Sequence, residues 1–176
     1  MDNTADQLHP NLARVVAAAA GAGLAIEVRR FPEETRTAAE AARAVGCDVA
    51  QIVKSLVFMA DGEPVIALLS GADRLDPSRL AAATGASAVR RADADEARAA
   101  TGFAIGGVPP FGHARPLTVL IDERLLAHDV VWAAAGLPDA VFKIAPLALQ
   151  EAAGARLAAL AATGDAAERS VRADPA

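Results

Sequence analysis

The sequence predicts an α/β domain built on a mixed, curved β-sheet with helices on its faces. Helix-like and strand-like segments alternate along the chain, and hairpin signals argue against a purely parallel sheet. The 176 residues contain no internal repeat and no linker, which suggests a single domain. Hydrophobic residues make up 53% of the chain, enough for a core. We expect the domain to occupy residues 1–160 and a flexible tail to occupy residues 161–176.

The first part of the chain predicts two helices and a strand. Residues 10–20 form the first helix, which glycines end. Residues 24–31 alternate like a strand. Thr37 and Glu40 have the spacing of a capping box, so we expect a second helix to begin there and to end at Gly46.

A hairpin follows, with strands at residues 53–60 and 64–70 joined by an Asp-Gly turn. In the first of these strands, Lys54 shares one face with apolar residues, and Ser55 shares the other face with apolar residues. Two apolar faces predict a central strand. Because adjacent strand residues point to opposite faces, Lys54 and Ser55 are not expected to form a catalytic dyad.

Two short helices are predicted between the hairpin and a glycine-rich loop. Asp76 caps the first helix, with Pro77 in its first turn. A short strand is expected at residues 87–91, and Asp93 with Glu96 gives the second helix a box-like start. Each helix therefore carries its own start signal in the sequence.

After the loop, the chain predicts three strands and a final helix. The strands are expected at residues 117–123, 129–135 and 140–145, where apolar and β-branched residues dominate. Residues 146–162 are rich in alanine and leucine and predict one long closing helix.

Charge and composition limit the partners that the protein can have. The net charge is −5 at pH 7, whereas a protein that grips long nucleic acid by its phosphates is usually basic. Any nucleic-acid contact should therefore be small, local or assisted by a partner, and we expect no DNA binding. No apolar run approaches 18 residues and residues 1–10 lack a secretory signal, so we expect no membrane association. Cys47 is the single cysteine, which excludes an internal disulfide and favours the cytoplasm.

The glycine-rich loop does not match a known cofactor motif. It is interrupted by two prolines and leads into a strand, unlike a dinucleotide fingerprint, and it lacks the Gly-Lys-Ser/Thr of a phosphate-binding loop. His9, His113 and His128 are far apart in the sequence, and no cysteine pair exists. We expect no metal and no cofactor.

Lys54 is a candidate functional residue because of the composition of the chain. Of 17 basic residues, only Lys54 and Lys143 are lysines. In a chain that otherwise uses arginine, a lysine can serve where a compact ammonium, or a group that can lose its proton, is needed. The alternative is that lysine remains at these two positions by chance. At the end of a central strand, Lys54 would lie beside a cavity without water. The alternative is that its side chain extends along the strand end and places the ammonium in solvent.

The loop "GGVPPFGH", residues 106–113, is the second candidate. Its glycines permit backbone conformations closed to other residues, and its two prolines stiffen the middle. Backbone N–H groups beside glycine can approach a ligand closely, so the loop can hold a carbonyl, an oxyanion or an amine. A stiff turn without a ligand is the alternative.

Together, "TRTAAEAARAVGCDVAQIVKSLVF", "VFMADGEPVIAL", "GGVPPFGH" and "LTVLIDERLL" resemble the YbaK/EbsC family over residues 8–160. This is the editing domain also found inserted in bacterial prolyl-tRNA synthetases. The resemblance implies a barrel-like mixed sheet flanked by helices. It also implies hydrolysis, in trans, of the ester that joins a wrong amino acid to tRNA, with tRNA-Pro or a related tRNA as the expected substrate.

Carried over by motif, the resemblance implies catalytic roles for Lys54, Gly106 and Gly107. It implies substrate-binding roles for a second group of residues: Phe31, Val108, Pro110, Phe111, Gly112 and His113. We expect the loop amides to hold the ester carbonyl as it becomes an oxyanion, while Lys54 anchors the terminal phosphate or ribose. In the family, a ribose hydroxyl of the tRNA is held to help water attack.

Several points stay open. Phe31 either lines the pocket or packs in the core, His113 either touches substrate or shapes the loop, and Asp139, the acid nearest the last strand, receives no role. The amino acid is open among alanine, serine, threonine, cysteine and non-protein analogues. The expected partners are the acceptor end of tRNA and a synthetase or elongation factor. A non-catalytic module that binds an amino acid or nucleotide, and a hydrolase of small acyl esters, are the rival functions.

Overall fold

A computed structural model describes residues 8–163, which form helices and strands in alternation. Among these residues, no helix is both long and apolar enough to cross a membrane. Two short 3-10 helices, Val49–Gln51 and Glu123–Ala127, complete the elements. The α-helices and strands are α1 (Pro10–Gly21), β1 (Val28–Arg30), α2 (Ala38–Val45), β2 (Val53–Ala60), β3 (Glu63–Ser70), α3 (Pro77–Thr84), β4 (Val89–Arg91), α4 (Ala94–Thr101), β5 (Thr118–Asp122), β6 (Val131–Ala134), β7 (Ala140–Ile144), α5 (Pro146–Ala153) and β8 (Arg156–Ala158).

The strands form two sheets, one of five strands in the order β4-β2-β3-β5-β8 and one of three in the order β1-β7-β6. The β3–β5 and β5–β8 pairs are parallel and the others are antiparallel, which confirms the mixed α/β fold. A single bridge between Ile52 and Trp132 links the sheets. Residues 8–163 contain no closed barrel, so the barrel-like sheet implied by the resemblance is replaced by two sheets.

Strand β2 is the central strand that its two apolar faces predict. It lies between β3 and β4, and its alternate residues enter different cores. Val57 packs in the larger core, which also contains residues of the three-stranded sheet. Phe58 packs on the other face with Leu80 and Leu160. Burial on both faces holds β2 in one register, because a slip of one residue would exchange the two sets of side chains.

The capping and turn signals are confirmed with one difference. The Thr37 hydroxyl accepts from the Glu40 N–H at 3.1 Å, but the Glu40 carboxylate accepts from the N–H of Arg36 and not from that of Thr37. Asp93 caps α4 in a reciprocal capping box, as predicted. The hairpin turn has two positive φ angles, +47° at Asp61 and +82° for the glycine after it.

The predictions at both ends of the chain need correction. The first strand covers only three of the residues 24–31. The closing helix stops at Ala153, because Gly154 adopts a left-handed conformation with φ +57°. The chain beyond it pairs with β5 as strand β8. Ala161 is buried and bridges Leu75, so the packed chain continues past residue 160. Residues 1–7, and 164–176 of the predicted tail, lie outside the described residues.

Asp122, at the end of β5, joins this last segment to the sheet. Its carboxylate is 1% exposed and accepts three backbone N–H groups, from Arg124 at 3.0 Å, Leu160 at 2.7 Å and Ala161 at 2.9 Å. A buried carboxylate is tolerated when its oxygens are hydrogen-bonded in this way. The Asp122 carboxylate therefore holds the chain after β8 by hydrogen bonds to Leu160 and Ala161, where the described residues form no further strand pairing with β5.

We expect Asp122→Ala to lower the free energy of unfolding by roughly 3 kcal/mol or more, because buried N–H groups lose a charged acceptor. Urea unfolding followed by circular dichroism measures the change. Asp129→Ala, at an exposed position, is the matched control and should change stability by less than about 0.5 kcal/mol. Equal effects of the two substitutions would contradict the role given to Asp122.

Candidate active site

A cavity of about 250 Å³ lies at the start of β2. It is bordered by residues 35–38 and 52–56, by part of the glycine-rich loop, and by several residues of the segment 132–141, among which Asp139 is not included. The geometry of β2 explains its position. Strand β3 pairs with all of Val53–Ala60, whereas β4 pairs only with Phe58–Ala60 on the other edge. The first half of β2 is therefore left open, and the cavity occupies that opening.

Lys54 borders the cavity and is half-buried. Its Nζ donates a 2.5 Å hydrogen bond to the backbone oxygen of Asp73. Burial lowers the pKa of Lys54 from its ordinary value, the Asp73 carboxylate opposes this, and Arg91 and Arg74 add to the lowering. An ammonium has three N–H donors, and one is used by Asp73. Two donors are left for an anion or a hydroxyl.

The mouth of the cavity is basic. Arg36 and Arg91 border it, and both are exposed. Arg74 is close enough to affect the pKa of Lys54. Within residues 8–163, none of these arginines forms an ion pair with an acidic side chain. The three cationic groups that border the cavity, with Arg74 near Lys54, favour an anionic ligand, even though the whole chain is negative.

The two glycines that open the loop differ in their surroundings. Gly106 borders the cavity with φ +91°, a conformation that favours glycine, and its N–H has no acceptor among the described residues. The Gly107 N–H instead donates to the Ala104 oxygen at 3.0 Å. A Cβ on Gly107 would lie 3.0 Å from the backbone of Leu137. Gly106 thus offers a free donor, while Gly107 permits close packing.

The rest of the loop is anchored in the core and does not border the cavity, except for Val108. The Phe111 ring packs against Phe142, with centroids 5.6 Å apart. The Gly112 oxygen accepts from the Arg14 side chain at 3.4 Å. These contacts hold the loop against β7 and α1, and Pro110 is buried beside them.

His113 stabilises the loop from within. Its Nε2 lies 2.7 Å from the Pro109 oxygen. Burial lowers the pKa of His113 below its ordinary value, so the ring is neutral near pH 7 and can donate to that oxygen. The ring does not border the cavity. Of the two roles left open for His113, this geometry matches the structural one.

Phe31 and Asp139 lie outside the cavity lining. Phe31 is 9% exposed and borders a separate groove together with Glu33 and Glu34. The Phe31 N–H donates to the Asp139 oxygen at 2.8 Å. The Asp139 carboxylate forms an ion pair with Arg30 at 2.5 Å. Both residues therefore fasten β1 to the turn before β7.

The structure brings together Lys54, Gly106 and Val108 from the predicted site and adds residues that the sequence did not indicate. Trp132, half-buried with Arg29 stacked 5.1 Å from its ring, forms one wall. Ser55 borders the cavity from β2. Trp132 is the single tryptophan of the chain, which is a weak signal; the position of Ser55 becomes visible only with the three-dimensional packing.

Among residues 8–163, no three His, Cys, Asp or Glu side chains come close enough together to hold a metal ion. The chemistry available at the cavity is that of an ammonium, guanidinium groups, backbone N–H groups and three hydroxyls. The Thr35 hydroxyl donates to the Pro138 oxygen and the Thr37 hydroxyl accepts from the Glu40 N–H, which leaves Ser55 as the third. Such groups bind and orient a polar ligand, and the backbone donors can stabilise a developing negative charge.

Comparison with known proteins gives consistent relatives. A family profile described as an aminoacyl-tRNA editing domain matches residues 32–152. The uncharacterized protein YwhH of Bacillus subtilis is 30% identical over 125 residues, which are 71% of this chain and 80% of that protein. The proline–tRNA ligase of Acidithiobacillus ferrooxidans is 38% identical over 103 residues, 58% of this chain but 18% of the ligase. This chain thus spans about a fifth of that ligase's length.

A solved structure has the same fold over nearly the whole chain. It was named, provisionally, as a trans-editing enzyme for prolyl tRNA synthetase. The two chains are 44% identical, with a TM-score of 0.84, over 89% of this chain and 100% of the other.

We expect Gly107→Ala to lower the free energy of unfolding by about 1–3 kcal/mol, because the new methyl group would press on the Leu137 backbone. The matched control is Gly21→Ala, since a Cβ there meets nothing within 4 Å and the residue is helical. That substitution should leave stability unchanged or raise it by up to about 1 kcal/mol. Calorimetric melting compares the two, and a neutral Gly107→Ala would contradict the close approach.

Proposed function

Because the chain belongs to the aminoacyl-tRNA editing domain family, related to the editing region of prolyl-tRNA synthetases, we propose that it is a deacylase. It hydrolyses the ester between a wrong amino acid and tRNA, and it acts in trans. The observation that carries this proposal is the meeting of Lys54, Gly106 and Val108 at one cavity. The provisional naming of the 44% identical structure supports action in trans.

The size of the cavity suits one small amino acid ester. Its volume of about 250 Å³ is below the roughly 300–1,000 Å³ of sites for drug-sized ligands. Its lining includes the small apolar residues Val108, Ala134 and Ala140. One methyl group gives a synthetase only about 1–3 kcal/mol of discrimination, so a second pocket that selects by size removes its errors.

Each end of the substrate has a matching group in the cavity. We assign the terminal phosphate or ribose to Lys54, which keeps two free donors, and to Arg91 at the mouth. We assign the ester carbonyl to the Gly106 N–H. The earlier expectation that Gly107 donates as well is dropped, because its N–H is already used by Ala104.

The reaction needs little machinery, because the aminoacyl ester is already activated. Water adds to the carbonyl carbon, and the carbonyl oxygen becomes an oxyanion that the Gly106 N–H stabilises. One such donor contributes roughly 3 kcal/mol in other enzymes. The bond between carbon and the ribose oxygen then breaks, the proton from water passes to the ribose oxygen, and the amino acid and free tRNA leave.

Binding to tRNA should be local and brief. The chain carries a net charge of −5, so long-range attraction to nucleic acid is weak. Arg36, Lys54 and Arg91 border the cavity, so the acceptor end, which carries the ester, would meet a locally basic surface. In this proposal a synthetase or elongation factor supplies the remaining affinity, and the protein works in the cytoplasm.

We expect wild-type protein to hydrolyse one or a few mischarged tRNAs, and Lys54→Ala to slow this by roughly 10- to 100-fold, the contribution of one hydrogen bond to a charged group. The assay follows loss of ester under single-turnover conditions. It uses tRNA-Pro charged with alanine, cysteine, serine or 2-aminobutyrate, and other tRNAs charged with serine or threonine.

Lys143→Ala is the matched control, because Lys143 is the other lysine and is exposed on β7. It should hydrolyse like wild type. Unchanged hydrolysis by Lys54→Ala would remove the anchoring role of Lys54. No hydrolysis of any ester by wild type would overturn the deacylase proposal and favour a binding module that uses the same cavity.

A further inference from the structure

The hydroxyl of Ser55 is the single buried side-chain polar atom without a hydrogen-bond partner among the described residues. Buried polar atoms in folded proteins nearly always have a partner, because an unpaired one destabilises the fold. Ser55 lies on the face of β2 that also carries Val53 and Val57, both 5% exposed. Alanine or valine would pack there without this penalty.

The position of Ser55 indicates what its partner is. The residue borders the cavity, whose lining also includes the buried apolar residues Val53, Val108 and Ala140. Lys54 points to the opposite face of β2, and its Nζ is bound near Asp73. The phosphate, ribose and ester are assigned to Lys54, Arg91 and the Gly106 N–H. The Ser55 hydroxyl is therefore left for another part of the substrate.

We propose that Ser55 is a specificity-determining residue that pairs with a hydroxyl group on the amino acid side chain of the substrate. This inference rests on the proposed deacylase function and narrows its substrate. The preferred ester carries serine or threonine, and a side chain of the same size without a hydroxyl leaves Ser55 unpaired. A site with a buried polar group discriminates strongly against an analogue that lacks the matching hydroxyl. An apolar pocket discriminates less strongly between side chains that differ in size.

A double-mutant cycle between protein and substrate tests the pairing. The same tRNA is charged with serine or with 2-aminobutyrate, in which a methyl group replaces the hydroxyl. Wild type should hydrolyse the seryl ester roughly 10- to 100-fold faster, the effect of one buried hydrogen bond. Ser55→Ala should bring the two rates to within about threefold, chiefly by slowing the seryl ester, as expected for loss of that bond.

Melting temperature gives an independent readout. Because Ser55→Ala removes an unpaired hydroxyl from apolar surroundings, it should leave the melting temperature unchanged or raise it. Loss of folding, or a clearly lower melting temperature, would make the hydroxyl structural and overturn the inference. Ser55→Cys replaces the hydroxyl with a slightly larger thiol that is a weaker donor, and its preference for the seryl ester should be intermediate.

The other outcomes are distinct. If Ser55→Ala lowers the hydrolysis rates of both esters equally, Ser55 contacts a part of the substrate that all esters share, and the specificity role is wrong. Unchanged rates for both esters would also overturn it. If wild type hydrolyses neither ester nor any other mischarged tRNA, the deacylase function itself fails, and this inference fails with it.

Discussion

The open half of one edge of β2 is the constraint on which the site depends. A central strand normally has neighbours on both edges, and β3 covers one edge of β2 completely. On the other edge β4 pairs only with Phe58–Ala60, and the three-stranded sheet forms a backbone bridge with this part of the chain between Ile52 and Trp132. Two small residues of the second sheet, Ala134 and Ala140, border this gap and leave room for the cavity.

The glycine-rich loop supplies the opposite wall, and its rigidity comes from the core below it. Phe111 against Phe142, and His113 against the Pro109 oxygen, fix the end of the loop away from the cavity. Gly107 lets the beginning of the loop lie on the Leu137 backbone. These contacts fix the loop on the C-terminal side of Gly106, whose N–H has no acceptor within residues 8–163. A donor that is positioned before the substrate arrives costs no reorganisation during the reaction.

Local signals in the sequence predicted the local structure well and the long-range structure less well. Caps such as Asp93 and the turn at Asp61 follow from neighbouring residues, and both are observed. The long closing helix was wrong, because the left-handed Gly154 outweighed the alanine-rich sequence around it. Lys54 and the loop were identifiable by motif, whereas Trp132 joins Lys54 only through the contact of two sheets, which no local pattern encodes.

The assignment of the cavity to the aminoacyl ester is tested most directly by a crystal structure with an analogue of the tRNA end. The analogue is adenosine 5′-monophosphate with the amino acid joined to the ribose by an amide in place of the ester. We expect the amino acid to occupy the cavity, with the carbonyl oxygen within hydrogen-bond distance of the Gly106 nitrogen and the nucleotide beside Lys54. The contradictory result is a ligand seated elsewhere, for example in the groove beside Phe31, or in the cavity with its carbonyl turned away from Gly106.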